Sequence, residues 1–201
     1  MLKELVVPLI SILMAGILVE NYVLQQFLGI CPFLGVSKKI NQALGMSVAV
    51  IFVMLFATAV TWPIYSYVLV PLKIGFLQII VFILVIAALV QFVEIVLKRF
   101  IPSLFKALGV YLPLITTNCA VFGVVDQFVG KGHNFVEAMV SSLGVGLGFL
   151  LAMVLFAGVR SRVDYAPAPK AFKNLPVTLI AASIVAMAFY GFSGVVENIL
   201  A

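Results

Sequence analysis

The chain has 201 residues, 65% of them hydrophobic, with only 12 Lys/Arg and 7 Asp/Glu, and a mean hydropathy of +1.30. Soluble domains carry about 25% charged residues and disordered segments are poor in apolar ones, so both classes are excluded in favour of an integral membrane protein. The net charge of +5 then reports topology; no basic stripe marks a nucleic-acid partner.

A spanning helix needs about 20 mostly apolar residues. Six stretches predict one: residues 5–35, 46–70, 75–97, 104–126, 138–159 and 176–196. The connections are short, so the chain reads as one all-α membrane domain over 1–201. Lys3 and the apolar run after it precede no small-residue cleavage site, which predicts a retained first helix rather than a signal peptide.

The first span is long. As a straight helix, 5–35 would measure about 46 Å at 1.5 Å per residue, against a hydrocarbon core of about 30 Å. Gly29, Pro32 and Gly35 predict a break near Cys31, because proline removes a donor and clashes with the preceding turn. Glu20 and Asn21 lie in the same span. An intramembrane carboxylate is a functional candidate, which makes Glu20 a candidate for ion coupling. The competing reading hydrogen-bonds both residues to backbone freed by the break.

In the second span, Trp62, Tyr65 and Tyr67 fall where an aromatic belt is expected. Glu94 and Lys98 close the third span at i,i+4 spacing, the pattern of an interfacial ion pair. The fourth holds an irregular stretch, Leu112-Pro113-Leu114-Ile115-Thr116-Thr117-Asn118-Cys119. There Thr116, Thr117 and Asn118 can satisfy freed backbone groups. Asp126 is expected to be solvated, and the single histidine, His133, reads as a loop residue rather than a ligand. In the fifth span, Gly144, Gly148 and Ala152 form a small-residue face, available to a partner's helix.

Lys38 and Lys39, then Lys98, Arg99 and Lys106, then Arg160, Arg162, Lys170 and Lys173 follow spans one, three and five; Lys3, Lys73 and Lys131 lie on the other side. The positive-inside rule places the larger set in the cytoplasm and both termini outward.

Cys31-Pro32-Phe33-Leu34-Gly35-Val36 and Cys119-Ala120-Val121-Phe122-Gly123-Val124 share one pattern: Cys, any residue, two apolar residues, Gly, Val. They lie on spans one and four, an odd offset, so the two copies enter the membrane from opposite sides. This predicts two inverted three-helix repeats, approximately 1–100 and 101–201, with helices 1 and 4 broken near the midplane and a site there. Buried cysteines are usually small hydrophobes, and a disulfide between these two is a further reading. A third is metal ligation: a [2Fe–2S] cluster wants four thiolates, and Cys31 and Cys119 supply half a site, to be completed by a second copy or a related chain.

Gly29-Ile30-Cys31-Pro32-Phe33-Leu34-Gly35-Val36-Ser37-Lys38-Lys39 and Leu112-Pro113-Leu114-Ile115-Thr116-Thr117-Asn118-Cys119-Ala120-Val121 resemble the RnfA family, the A subunits of the Rnf complexes, as do Gly132-His133-Asn134-Phe135 and Gly191-Phe192-Ser193-Gly194. The nearest competitor is the E subunit of the Na+-pumping NADH:quinone oxidoreductase; Pro32 and the Thr116-Thr117-Asn118 run favour Rnf. The resemblance implies a non-autonomous member of a bacterial or archaeal cell-membrane complex that moves electrons between ferredoxin and NAD+, coupled to Na+ or H+ translocation. It also implies pairing with the homologous E subunit of that complex, RnfE, in inverted orientation. Cys31 and Cys119 would then be two of four ligands to a shared [2Fe–2S] cluster, alongside subunits B, C, D and G, with no flavin on this chain. The competing classes are a small inverted-repeat secondary transporter and a membrane scaffold with incidental cysteines.

Overall fold

The computed structural model describes residues 2–37, 40–72, 75–100, 117–163 and 174–191, with Ile115, Tyr165 and Pro169. Residues 101–114, with the start of the expected fourth span, Thr116, the end of the sixth span with Phe192, Ser193 and Gly194 of its motif, and Lys38, Lys39, Lys73, Lys106, Lys170 and Lys173 lie outside these residues. All regular structure among the described residues is helical.

Helix α1, Leu2–Met14, runs on through a π turn, Ala15–Val19. A ten-residue connection leads to α2, the short helix Ile30–Val36. Helix α3, Ile40–Ile64, continues through a π turn at Tyr65–Leu69 to Leu72. That π turn directly follows Pro63, which takes a donor out of the ladder. After a 3-10 turn comes α4, Gln78–Phe100, then α5, Cys119–Lys131, α6, Phe135–Val163, and α7, Leu175–Tyr190. Three helical stretches, Ile40–Leu72, Gly75–Val96 and Phe135–Val163, are long and apolar enough to cross a membrane, and Val7–Val19 and Leu175–Tyr190 are shorter apolar helices.

The centre of the molecule is the α3–α6 pair, its most extensive contact. Met46, Val50, Met54 and Ala57 of α3 meet Val145, Phe149, Ala152 and Phe156 of α6, all buried. Two buried hydroxyls of α3 are returned to the backbone: the Ser47 hydroxyl donates to the Ala43 carbonyl at 2.7 Å and the Thr61 hydroxyl to Ala57 at 2.6 Å. Large apolar side chains on the outer faces of α4 and α7, among them Ile80, Leu84, Ile184 and Met187, are exposed, as a hydrocarbon solvent allows.

Two expectations are corrected. The first span does break, but ahead of Cys31 and over ten residues: Glu20–Gly29 leave the helix, and α2 begins at Ile30. Pro32 does not cause the break, because it sits in the first turn of α2, where its missing N–H has no intrahelical acceptor to lose. The small-residue face of α6 also serves a different neighbour. A Cβ on Gly148 would lie 2.6 Å from the Gly16 carbonyl oxygen, and one on Gly144 would lie 3.0 Å from that of Leu13. The face is filled by the chain's own first helix, backbone against backbone.

Candidate functional site

Both cysteines stand in the first turn of a helix. Cys119 opens α5, whose N-cap is Asn118: the Asn118 side-chain oxygen accepts from the Ala120 N–H at 3.0 Å. This is the usual use of asparagine at a helix start, and it bears out the expectation that Asn118 satisfies freed backbone. Cys31 is the second residue of α2, whose N-cap, Gly29, has φ +84°, a left-handed conformation that only glycine adopts without strain.

The two helix starts meet. A Cβ on Gly29 would lie 3.1 Å from Asn118 Oδ1 and 3.3 Å from the Ala120 Cβ. The connection preceding α2 lies along α5, where Leu28 and Tyr22 close over Gly123; a Cβ there would come within 2.7 Å of Leu28.

Burial repeats along with sequence. Cys31 and Cys119 are exposed; Pro32 and Ala120, Phe33 and Val121, and Val36 and Val124 are buried; Leu34 and Phe122 are half-buried; the glycines alone differ, Gly35 exposed and Gly123 half-buried. The two copies therefore present their cysteines outward while anchoring by equivalent positions. Both cysteines are free thiols, so they are neither core hydrophobes nor a disulfide pair. Among the described residues no three His, Cys, Asp or Glu side chains gather as a metal site. Two free, exposed cysteines on neighbouring helix starts are the right kind of donor for half of a four-thiolate centre. The Asn118 amide nitrogen, buried beside Cys119, has no hydrogen-bond acceptor among the described residues.

Arg160 of α6 holds the other end of α2. Its Nη1 donates to the Leu34 carbonyl at 2.5 Å and to the Ser37 hydroxyl at 2.8 Å. One turn earlier on α6, Phe156 stacks on Phe33 with ring centroids 4.3 Å apart.

Glu20 and Asn21, at the start of the break, do different work. Asn21 is fully buried. Its amide donates to the carbonyls of Gly148 at 2.8 Å and Ile17 at 3.3 Å, and its oxygen accepts from the N–H groups of Val23 and Leu24. Glu20 is half-exposed and ion-paired with Lys131 at 2.7 Å, and it accepts from the Gln127 amide, whose oxygen takes the Ser141 hydroxyl. With Ser11, Ser141 and His133 this pair borders a cleft of about 180 Å³.

His133 follows the C-terminus of α5. Gly132, at φ +63°, and His133 send their N–H groups back to Val129 and Phe128, the Schellman closure. Trp62 donates its indole N–H to the His133 carbonyl at 3.1 Å, and Tyr65 packs on Phe82 and Phe128, while Tyr67 is exposed. Burial and the nearby Lys131 charge hold the His133 pKa below the ordinary imidazole value. Asp126 is exposed and Glu94 half-buried; Glu94 borders an apolar groove between α3 and α4.

Long apolar helices, with two helix starts that meet and each expose one free cysteine, define the class as a multi-helix membrane protein. The chain belongs to the Rnf-Nqr family: the family described as Rnf-Nqr subunit, membrane protein, matches residues 9–196. The A subunit of the Na+-translocating ferredoxin:NAD+ oxidoreductase complex of Acetobacterium woodii is 54% identical over 186 residues, covering 92% of this chain and 97% of that protein. The A subunit of the ion-translocating oxidoreductase complex of Syntrophotalea carbinolica is 50% identical over 190 residues, covering 94% and 98%. The protein of the same name from Azotobacter vinelandii is 47% identical over 190 residues, again covering 94% and 98%.

Proposed function

We propose that this chain is the A subunit of an Rnf-type ion-translocating ferredoxin:NAD+ oxidoreductase in a bacterial or archaeal cell membrane. In this reading Cys31 and Cys119 supply two of the four thiolates of a [2Fe–2S] centre. The homologous E subunit, inverted in the membrane, supplies the others, and the flavins lie with the remaining subunits, B, C, D and G. The observation that carries the reading is the meeting of the two cysteine-bearing helix starts at Gly29 and Asn118, with both thiols free and outward-facing.

When bound, such a centre supplies one-electron transfer within the membrane. The chain's own residues do the rest. Asn118 caps α5 and Gly29 turns the chain into α2, which sets the two exposed cysteines on helix starts that meet. Asn21 satisfies the backbone opened by the break, which hydrocarbon would leave unpaired. Glu20, bordering a small cleft with Lys131, is the carboxylate we assign to coupled Na+ or H+ movement. The matched burial of the two cysteine motifs supports six spans arranged as two inverted repeats, with both termini outward; a C-terminal reporter active only in the cytoplasm would refute that orientation.

The test is iron per assembled complex. Cys31→Ser and Cys119→Ser each replace a soft thiolate by a hard, poorly acidic hydroxyl. Each should abolish or severely perturb the intramembrane iron signal and slow electron transfer, while flavin on other subunits persists. If both variants keep full iron and full rate, the ligand assignment is wrong.

A further inference from the structure

We infer that Arg160 is a positioning residue for the Cys31 thiolate and sets the reduction potential of the centre that Cys31 serves; the second half of this inference rests on the function proposed above.

Helix α2 has seven residues, far fewer than a helix needs to persist alone in water, and its N-cap makes no side-chain bond. Its placement therefore comes from outside, and α6 provides it twice on one face, at i and i+4. Phe156 stacks on Phe33, and Arg160 donates to the Leu34 carbonyl and the Ser37 hydroxyl. Cys31 lies three residues before Leu34, nearly one turn. Because each residue turns a helix by about 100°, small rotations of α2 swing the thiol. Fixing the C-terminal carbonyl and the Phe33 ring together removes that freedom.

A solvated arginine would serve as well for holding alone, but Arg160 is only 8% exposed. Among the described residues the ion pair is that of Glu20 with Lys131, so no described carboxylate neutralises Arg160. Guanidinium does not lose its proton in proteins. Buried beside α2, the Arg160 guanidinium puts a positive charge at the far end of a helix only about 10 Å long that carries a cysteine at its start. A positive charge there favours the more negative, reduced state of a thiolate-bound iron centre.

The experiment compares wild type with Arg160→Gln, Arg160→Lys and Ser37→Ala in the assembled complex. It reads the iron-centre signal by redox titration, and the alkylation rates of Cys31 and Cys119 after iron is removed by chelation. In Arg160→Gln the reduced-to-oxidised ratio at a fixed applied potential should fall about tenfold, equivalent to about 59 mV for one electron. Labelled at a pH well above the ordinary thiol range, so that loss of the positive charge does not limit the thiolate, Cys31 should alkylate about threefold faster, with Cys119 unchanged. Arg160→Lys keeps the charge and should stay within about twofold of wild type in the redox ratio. Ser37→Ala removes one contact and leaves the charge, so it should raise Cys31 labelling while the redox ratio holds.

Wild-type values for both readouts in Arg160→Gln would overturn the inference. If that variant does not assemble, wild-type Cys31 labelling in Ser37→Ala would overturn it. Absence of any iron signal in the wild-type complex would instead sink the cluster reading, and the labelling ratio would still decide whether Arg160 positions Cys31.

Discussion

Gly29 and Asn118 are N-caps that touch. The glycine of one helix start sits where any side-chain carbon would press on the carboxamide oxygen of the other, at 3.1 Å. Two helix starts 89 residues apart in sequence (118 − 29) are thereby joined into one feature, and the cysteines follow from it, two residues after one cap and one residue after the other.

Gly29→Ala should break this junction. The left-handed conformation alone costs an L-residue about 1–2 kcal/mol, and the new methyl has Asn118, Phe149 and Ala120 in its way. The melting temperature of the assembled complex should fall, and iron per complex should fall further than the loss of assembled protein explains. Normal iron at normal stability would show that the junction does not hold the thiols.

Gly148→Ala and Gly158→Ala form a matched pair on α6. The first drives a methyl to 2.6 Å from the Gly16 carbonyl oxygen, and the second meets nothing within 4 Å. Overpacking against backbone should cost about 1–3 kcal/mol, whereas relief of a helical glycine should be neutral or stabilising by up to about 1 kcal/mol. Gly148→Ala should lower the thermal unfolding temperature while Gly158→Ala leaves it unchanged or raises it; equal losses would remove the internal role assigned to this face.

Glu20→Gln separates latch from ion carrier. The Glu20–Lys131 pair is substantially exposed, so breaking it should change stability by less than about 1 kcal/mol. Ion movement per electron, measured in proteoliposomes, should drop severalfold while electron transfer persists. Lys131→Met keeps the carboxylate and should retain coupling. An unchanged ion-to-electron ratio in Glu20→Gln would leave Glu20 as the latch alone.

The pH dependence should carry a histidine contribution of defined sign. The folded protein holds His133 below its ordinary pKa of 6.5 through burial and Lys131, so the unfolded chain binds the proton more readily. Stability from this source is full above pH 6.5 and is lost as the pH falls through the lower, folded value. His133→Gln should flatten the fall in stability between neutral and mildly acidic pH; an identical profile would show that His133 contributes nothing to it.

Much of this architecture is legible in residue order. The apolar runs at 46–70, 75–97 and 138–159 correspond to α3, α4 and α6, because nothing competes with helix formation in a 20-residue apolar stretch. The cysteine echo anticipates matched burial, since equal spacing of large and small side chains packs alike. Residue order misplaces the break in the first span because Pro32 and Gly35 are loud signals. The actual interruption is written in quieter ones: Asn21, which satisfies backbone before and within the start of the break, and Gly29, whose positive φ cannot be told from its identity. Arg160 reads in sequence only as a topological charge. Its grip on Leu34 spans 126 residues, and no local pattern encodes such a contact.

The contact between α1 and α6 also bears on how the chain is made. Asn21 finds its acceptor on Gly148, 127 residues later, and at 5–20 residues per second that delay is roughly 6–25 s. Through that interval the first segment has left the ribosome with a buried-type carboxamide and a bare glycine backbone but without the helix that receives them. Early biogenesis of this protein should therefore depend on an insertase or a lipid-facing chaperone that shelters the nascent first helix until α6 arrives.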